Sequence, residues 1–129
     1  MKKELREKVG LKYNNLCAYT GKPLGDDWQV DHVIPQYKFK ENIIQGNKDD
    51  IDNLLPTIKI INHYKRAQDL ELFRKYMMNF HIRLSKLPKT TKVEETKKRI
   101  EYMNKVAELF GITTSQPFKG KFYFETINK

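Results

Sequence analysis

Cysteine is almost absent from this chain: Cys17 stands alone among 129 residues, so no internal disulfide can form, and no zinc site built on two or more thiolates. A solitary cysteine of this kind reads as a small buried hydrophobe. Long apolar runs are missing too. No stretch approaches the ~18 consecutive apolar residues that a membrane helix needs. Met1 to Lys8 is charged and has no apolar segment behind it. Neither a membrane span nor a signal peptide is therefore expected, and the expected compartment is the cytoplasm. Internal repeats, low-complexity tracts and flexible linkers are lacking as well. With 39% hydrophobic residues the chain can fill one modest core, and a single domain over residues 1–129 is expected.

Acidic residues are the scarcer charge: 16 Asp plus Glu stand against 25 Lys plus Arg, a net +9. A surplus of this sign suits a polyanionic partner such as nucleic acid. A lysine-rich surface also serves solubility alone, and composition does not separate the two.

What is present concentrates between Gln29 and Lys65. Asp31 and His32 stand side by side at the end of an apolar run holding Trp28 and Val30, and Pro35 stops that run almost at once. Adjacent residues of a strand point to opposite faces. At a strand end followed by a turn, both can reach one cleft, which suits a metal ligand beside a general base. Asn53, Asn62, His63, Lys65 and Arg66 follow.

The remaining chain reads as scaffold. Leu5, Val9, Tyr13 and Leu16 recur at helical spacing and predict a helix over residues 3–16. Residues 17–25 carry the glycines and proline of a tight knuckle, and residues 28–34 predict a strand. Residues 36–52 form a polar, turn-prone loop in which Asp49, Asp50 and Asp52 read as solvated turn and capping residues. They lack the glycine and terminal glutamate of a calcium loop. Residues 53–56 predict a second strand closing a hairpin, with Thr57 capping a helix through Ile58, Ile61, Tyr64 and Lys65. Leu70, Phe73, Met77, Phe80, Leu84 and Leu87 predict one amphipathic helix. Thr91 with Glu94 forms a capping box for another over residues 93–110, stopped by Gly111. Alternation around Phe122 and Phe124 predicts a C-terminal strand over residues 118–127. The fold class expected is α+β: a short β-hairpin flanked by amphipathic helices and a C-terminal strand.

The strings Trp28-Gln29-Val30-Asp31-His32-Val33-Ile34-Pro35, Asp52-Asn53-Leu54-Leu55-Pro56 and Asn62-His63-Tyr64-Lys65 together resemble the HNH nuclease family, also called His-Me finger or ββα-metal nucleases. The likeness covers residues 17–68, with 69–129 as a helical and strand extension. It implies a metal-dependent endonuclease that hydrolyses phosphodiester bonds of double-stranded DNA. In that reading His32 is the general base, Asn53 holds the loop that orients it, and Asp31 and Asn62 bind one divalent ion. Oxygen donors suit magnesium or manganese. The family's spacing to the lysine selects Asn62 over His63, leaving His63 to substrate contact or structure. Lys65 and Arg66 either contact phosphate or form a solvated helix face, and Lys119 and Lys121 are expected to contact phosphate. Many HNH proteins carry a zinc knuckle, but the matching positions here are Cys17, Thr20, Ile58 and Ile61, which imply an apolar plug and no structural zinc. Two other readings stay open: a basic DNA-binding module that has lost turnover, and an RNase or toxin nuclease.

Overall fold

The computed structural model describes residues 1–127, and in chain order its elements are α1 (Lys3–Leu11), β1 (Gln29–His32), α2 (Gln36–Lys40), β2 (Leu54–Thr57), α3 (Lys59–Lys65), α4 (Leu70–Met78), α5 (Phe80–Ser85), α6 (Glu94–Phe110) and α7 (Tyr123–Ile127). Seven α-helices and a two-stranded antiparallel sheet, among the described residues, make the fold α+β. No described helix is long and apolar enough to cross a membrane. The backbone groups into two compact units: Met1–Phe73 with the residues from Phe122 onward, and Arg74–Lys121.

The first unit is organised on the hairpin. β1 and β2 pair with Gln29 opposite Thr57, Val30 opposite Pro56, Asp31 opposite Leu55 and His32 opposite Leu54. This register places Gln29 and Asp31 on one face and Val30 and His32 on the other. β2 is buried throughout. α1 ends at Leu11, short of the expected Leu16, because Asn14 and Asn15 take left-handed conformations (φ 54° and 63°) and the Asn15 N–H closes on the Gly10 carbonyl at 2.9 Å. The knuckle then folds back on β2, with the Ala18 N–H on the Pro56 carbonyl at 2.9 Å. Cys17 and Ile61 are fully buried and Thr20 and Ile58 partly so. The Cys17 sulfur accepts the Ile58 N–H at 3.5 Å, just ahead of α3. Thr57 does not cap that helix as expected. It ends β2 in the core, its hydroxyl turned to the Leu55 carbonyl.

An aromatic cluster fills the core behind the knuckle. The Tyr19 ring meets Phe73 and Phe122 edge-on at 5.5 and 5.1 Å, and Phe73 stacks on Phe122 at 5.3 Å. Such pairs each contribute ~0.5–1.5 kcal/mol beyond area burial, enough to fix the Tyr19 ring and hence its hydroxyl. Gly21 sits at φ +73°, and a Cβ there would lie 2.7 Å from the Tyr123 ring. Both constraints demand glycine.

The C-terminal strand is a correction: residues 123–127 form helix α7. The Glu125 side chain reaches back to the Phe122 N–H at 2.9 Å, which is the return half of a capping box, and no described strand lies beside the segment to pair with it. Phe122 is fully buried, as the alternation requires. The expected loop 36–52 also gains structure, with α2 starting directly after Pro35.

The single expected helix over residues 70–87 is broken at Asn79 (φ −104°, ψ 5°) into α4 and α5. Arg83 compensates: its guanidinium lies 3.7 Å from the Tyr76 ring centroid and donates to the Tyr76 carbonyl at 2.9 Å. α6 begins at Glu94 without a side-chain cap. Thr91 accepts instead from the Val93 N–H at 3.1 Å, so the expected capping box is absent. Gly111 stops α6 in the left-handed region (φ 70°), and the Ile112 N–H returns to the Ala107 carbonyl at 2.9 Å.

Candidate active site

A cavity of about 270 Å³ opens in the first unit at the end of β1, and Asp31, His32, Asn62 and Arg66 all line it. Four residues separated by up to 35 positions meet there because α3 packs against β1. The face of β1 that carries Gln29 and Asp31 looks at the face of α3 that carries Asn62 and Lys65. The Asn62 amide nitrogen donates to Gln29 Oε1 at 2.7 Å, and Lys65 Nζ lies 3.1 Å from Asp31 Oδ2. A two-residue step along a strand thus matches a three-residue step along a helix.

Asp31 is buried (5% exposed) and heavily engaged. Oδ2 accepts from the Tyr19 hydroxyl and from Lys65, and Oδ1 lies 3.3 Å from the same ammonium. Burial pushes the carboxyl upward, and Lys65 and Tyr19 only partly oppose the rise. Tyr19 is itself driven well above the ordinary tyrosine range, first by burial and then by the adjacent Asp31 charge. Its phenol therefore serves as a donor.

Lys65 departs from both expectations for it. It is 1% exposed, with Nζ also 2.7 Å from the Gln68 carbonyl and 3.5 Å from that of His32. A lysine so enclosed neither contacts phosphate nor forms a solvated face, so its expected nucleic-acid role is withdrawn. His63 is exposed and outside the cavity lining. Lys119 and Lys121 are exposed, in the second unit.

Asn53 holds the turn after β1. Its amide oxygen accepts the Ile34 N–H at 2.8 Å, while its nitrogen donates to the Lys48 carbonyl at 2.9 Å and the Ile34 carbonyl at 3.3 Å. Its own carbonyl takes the Val33 N–H at 3.0 Å. Asn53 is therefore a positioning group rather than one that reaches the cavity.

The donor set fits a hard, largely hydrated divalent cation. With its nitrogen turned to Gln29, Asn62 presents its amide oxygen, and Asp31 Oδ1 keeps one lone pair beyond Lys65. No cluster of three or more His, Cys, Asp or Glu suited to a metal exists among the described residues. An ion held here therefore takes most of its ligands from water, as magnesium does. The Lys65 charge beside Asp31 sets the affinity low.

Arg66 is exposed at the cavity mouth and follows α3 with φ 56°, ψ −140°, a region tolerated by glycine and strained for arginine. Such strain costs of order 1–3 kcal/mol. Arg66→Gly is therefore expected to raise stability by about 1 kcal/mol, the relief of strain exceeding the added freedom of the unfolded chain. If the cavity mouth takes nucleic acid, the same substitution should weaken that binding. Arg66→Ala should weaken binding with no gain in stability. Thermal melts and fluorescence anisotropy on the same samples separate the two effects.

Sequence reasoning missed three members of this constellation. Gln29 and Tyr19 hold Asn62 and Asp31. Asp49, read as a solvated turn residue, is only part-exposed and lies 2.9 Å from His32 Nε2. The i, i+2 spacing of Gln29 and Asp31 was the one available signal for Gln29, while nothing local marks the other two. In comparisons with protein-family models, with curated proteins and with solved structures, nothing matches this chain. The functional reading rests on its own residues.

Proposed function

We propose that this chain is a metal-dependent endonuclease of the ββα-metal type, hydrolysing phosphodiester bonds of DNA. The observation that carries this reading is the convergence of Asp31, His32, Asn62 and Arg66 on one cavity at the end of a β-hairpin followed by a helix. His32 takes the proton of the attacking water. Asp31 and Asn62 hold a magnesium or manganese ion, which when bound neutralises charge developing on the phosphate and leaving oxygen. Arg66, with an unengaged guanidinium among the described residues, draws the phosphate to the mouth. The net charge of +9 favours a polyanion, and Lys119 and Lys121, exposed in the second unit, are further candidate phosphate contacts.

One observation favours a second reading, a basic DNA-binding module without turnover: Asp31 is already neutralised by Lys65. Supercoiled plasmid incubated with magnesium, with manganese and with chelator separates the two. Nicked or linear product that chelator suppresses is expected. Retarded but intact plasmid under every condition would favour the binding module, and cleavage of RNA alone would redirect the substrate.

A further inference from the structure

His32 meets a carboxylate 17 positions along the chain. Its Nε2 lies 2.9 Å from Asp49 Oδ1, and the other oxygen of Asp49 accepts from Lys48 Nζ at 3.0 Å. The loop is braced to make this meeting. Through its two amide atoms Asn53 ties Ile34, two residues after His32, to Lys48, the residue before Asp49. The Asp49 N–H closes on Asn47 Oδ1 at 3.0 Å, and the Asp50 N–H on the Asn47 carbonyl at 3.1 Å. His32 lines the cavity with its side chain 13% exposed, while Asp49, 37% exposed at its side chain, is outside that lining. The bonds from His32 and Lys48 also hold the Asp49 carboxyl below the usual range.

We propose that Asp49 is the positioning residue of His32, fixing the ring with its proton on Nε2 so that Nδ1 is the nitrogen left to accept a proton. An ionised carboxylate is an acceptor only, so the 2.9 Å contact requires N–H on the ring side. Nδ1 has no hydrogen-bond partner among the described residues. The orientation of an imidazole and the choice of its basic nitrogen follow from the bond its other nitrogen makes. The inference deepens, and rests on, the assignment of His32 as the general base.

The test is a pair of measurements on the full chain. Ring tautomers are read from long-range ¹⁵N–¹H correlation spectra at neutral pH without added metal, and DNA cleavage is followed in parallel. Wild-type His32 is expected as the Nε2–H tautomer. In Asp49→Asn, Lys48 holds the amide oxygen and the amide NH₂ faces the ring, so the proton should move to Nδ1. kcat should then fall by ~10²-fold or more with KM nearly unchanged, on the scale of a lost general base. Asp49→Glu should restore the tautomer and much of the rate. A wild-type ring protonated on Nδ1, or a tautomer indifferent to Asp49→Asn, overturns the proposal whatever the cleavage result. A tautomer that flips as expected in a protein that cuts no nucleic acid supports the Asp49 pairing and removes the nuclease reading instead.

Discussion

His32→Ala should lose cleavage by ~10²- to 10⁴-fold while binding DNA about as tightly as the wild type, because a general base acts on the transition state far more than on ground-state affinity. At 1.36 kcal/mol per tenfold, that is ~3–5 kcal/mol of barrier. The fold should barely register the change. The ring is 13% exposed at its side chain, and its hydrogen bond goes to Asp49 on a loop that Asn53 braces independently. Single-turnover cleavage under saturating manganese, with anisotropy for affinity and a urea melt for stability, measures all three. Cleavage within tenfold of the wild type would remove His32 from the chemistry. A large stability loss would instead make the imidazole a strut of the loop.

That experiment isolates the part of the site that was most legible from the chain. Asp31, His32 and Pro35 are contiguous, and a strand end with a turn behind it dictates where its last two side chains can go. The hairpin partner was equally legible, since the residues around Leu54 are buried and apolar and the intervening loop is rich in turn formers. The bracing role of Asn53 came only from the family resemblance, and nothing in the residues around it dictates its bonds to Ile34 and Lys48. What remained hidden was set by contacts between distant elements. Lys65 carries no local sign of burial, since a lysine late in a short polar helix is usually solvated. Only the packing of α3 on β1 turns it onto Asp31. Tyr19 looked like part of a glycine-rich knuckle, and its hydroxyl finds Asp31 because Phe73 and Phe122 fix its ring.

The misread elements fail for local reasons that compete with periodicity. The run Phe122 to Phe124 alternates like a strand, yet Glu125 three residues after Phe122 supplies a helix start. The stripe from Leu70 to Leu87 continues through Asn79, but asparagine is a weak helix former and the register resumes on a new helix. Apolar spacing reports which face is buried. It does not report whether the backbone beneath it is continuous.

Lys65→Ala should be the most destabilising single change at the site, by about 3–5 kcal/mol, the cost of leaving a buried charge without its partner. Asp31 would stand 5% exposed with only the Tyr19 hydroxyl, and the Gln68 carbonyl would lose its 2.7 Å donor. The pH dependence has a definite sign. Burial already raises the Asp31 carboxyl above its ordinary value, and Lys65 is the largest influence holding it down. Removing Lys65 raises it further. The folded state then binds a proton that the unfolded state releases, so the stability of the variant should fall as pH rises from about 4 through the elevated value. Lys65→Ala should therefore be closer to the wild type at about pH 5 than at about pH 8, and Asp31→Asn in the same background should recover part of the loss and flatten that slope. Magnesium gives an independent check. With the ammonium gone, Asp31 and Asn62 are open to a divalent ion, and binding to the folded state alone adds stability by mass action. The urea midpoint of Lys65→Ala should accordingly rise with millimolar magnesium more than that of the wild type. A variant whose melt ignores both pH and magnesium would mean that Asp31 titrates in the folded state as it does in the unfolded chain and takes up no ion, and the metal assignment to Asp31 would go.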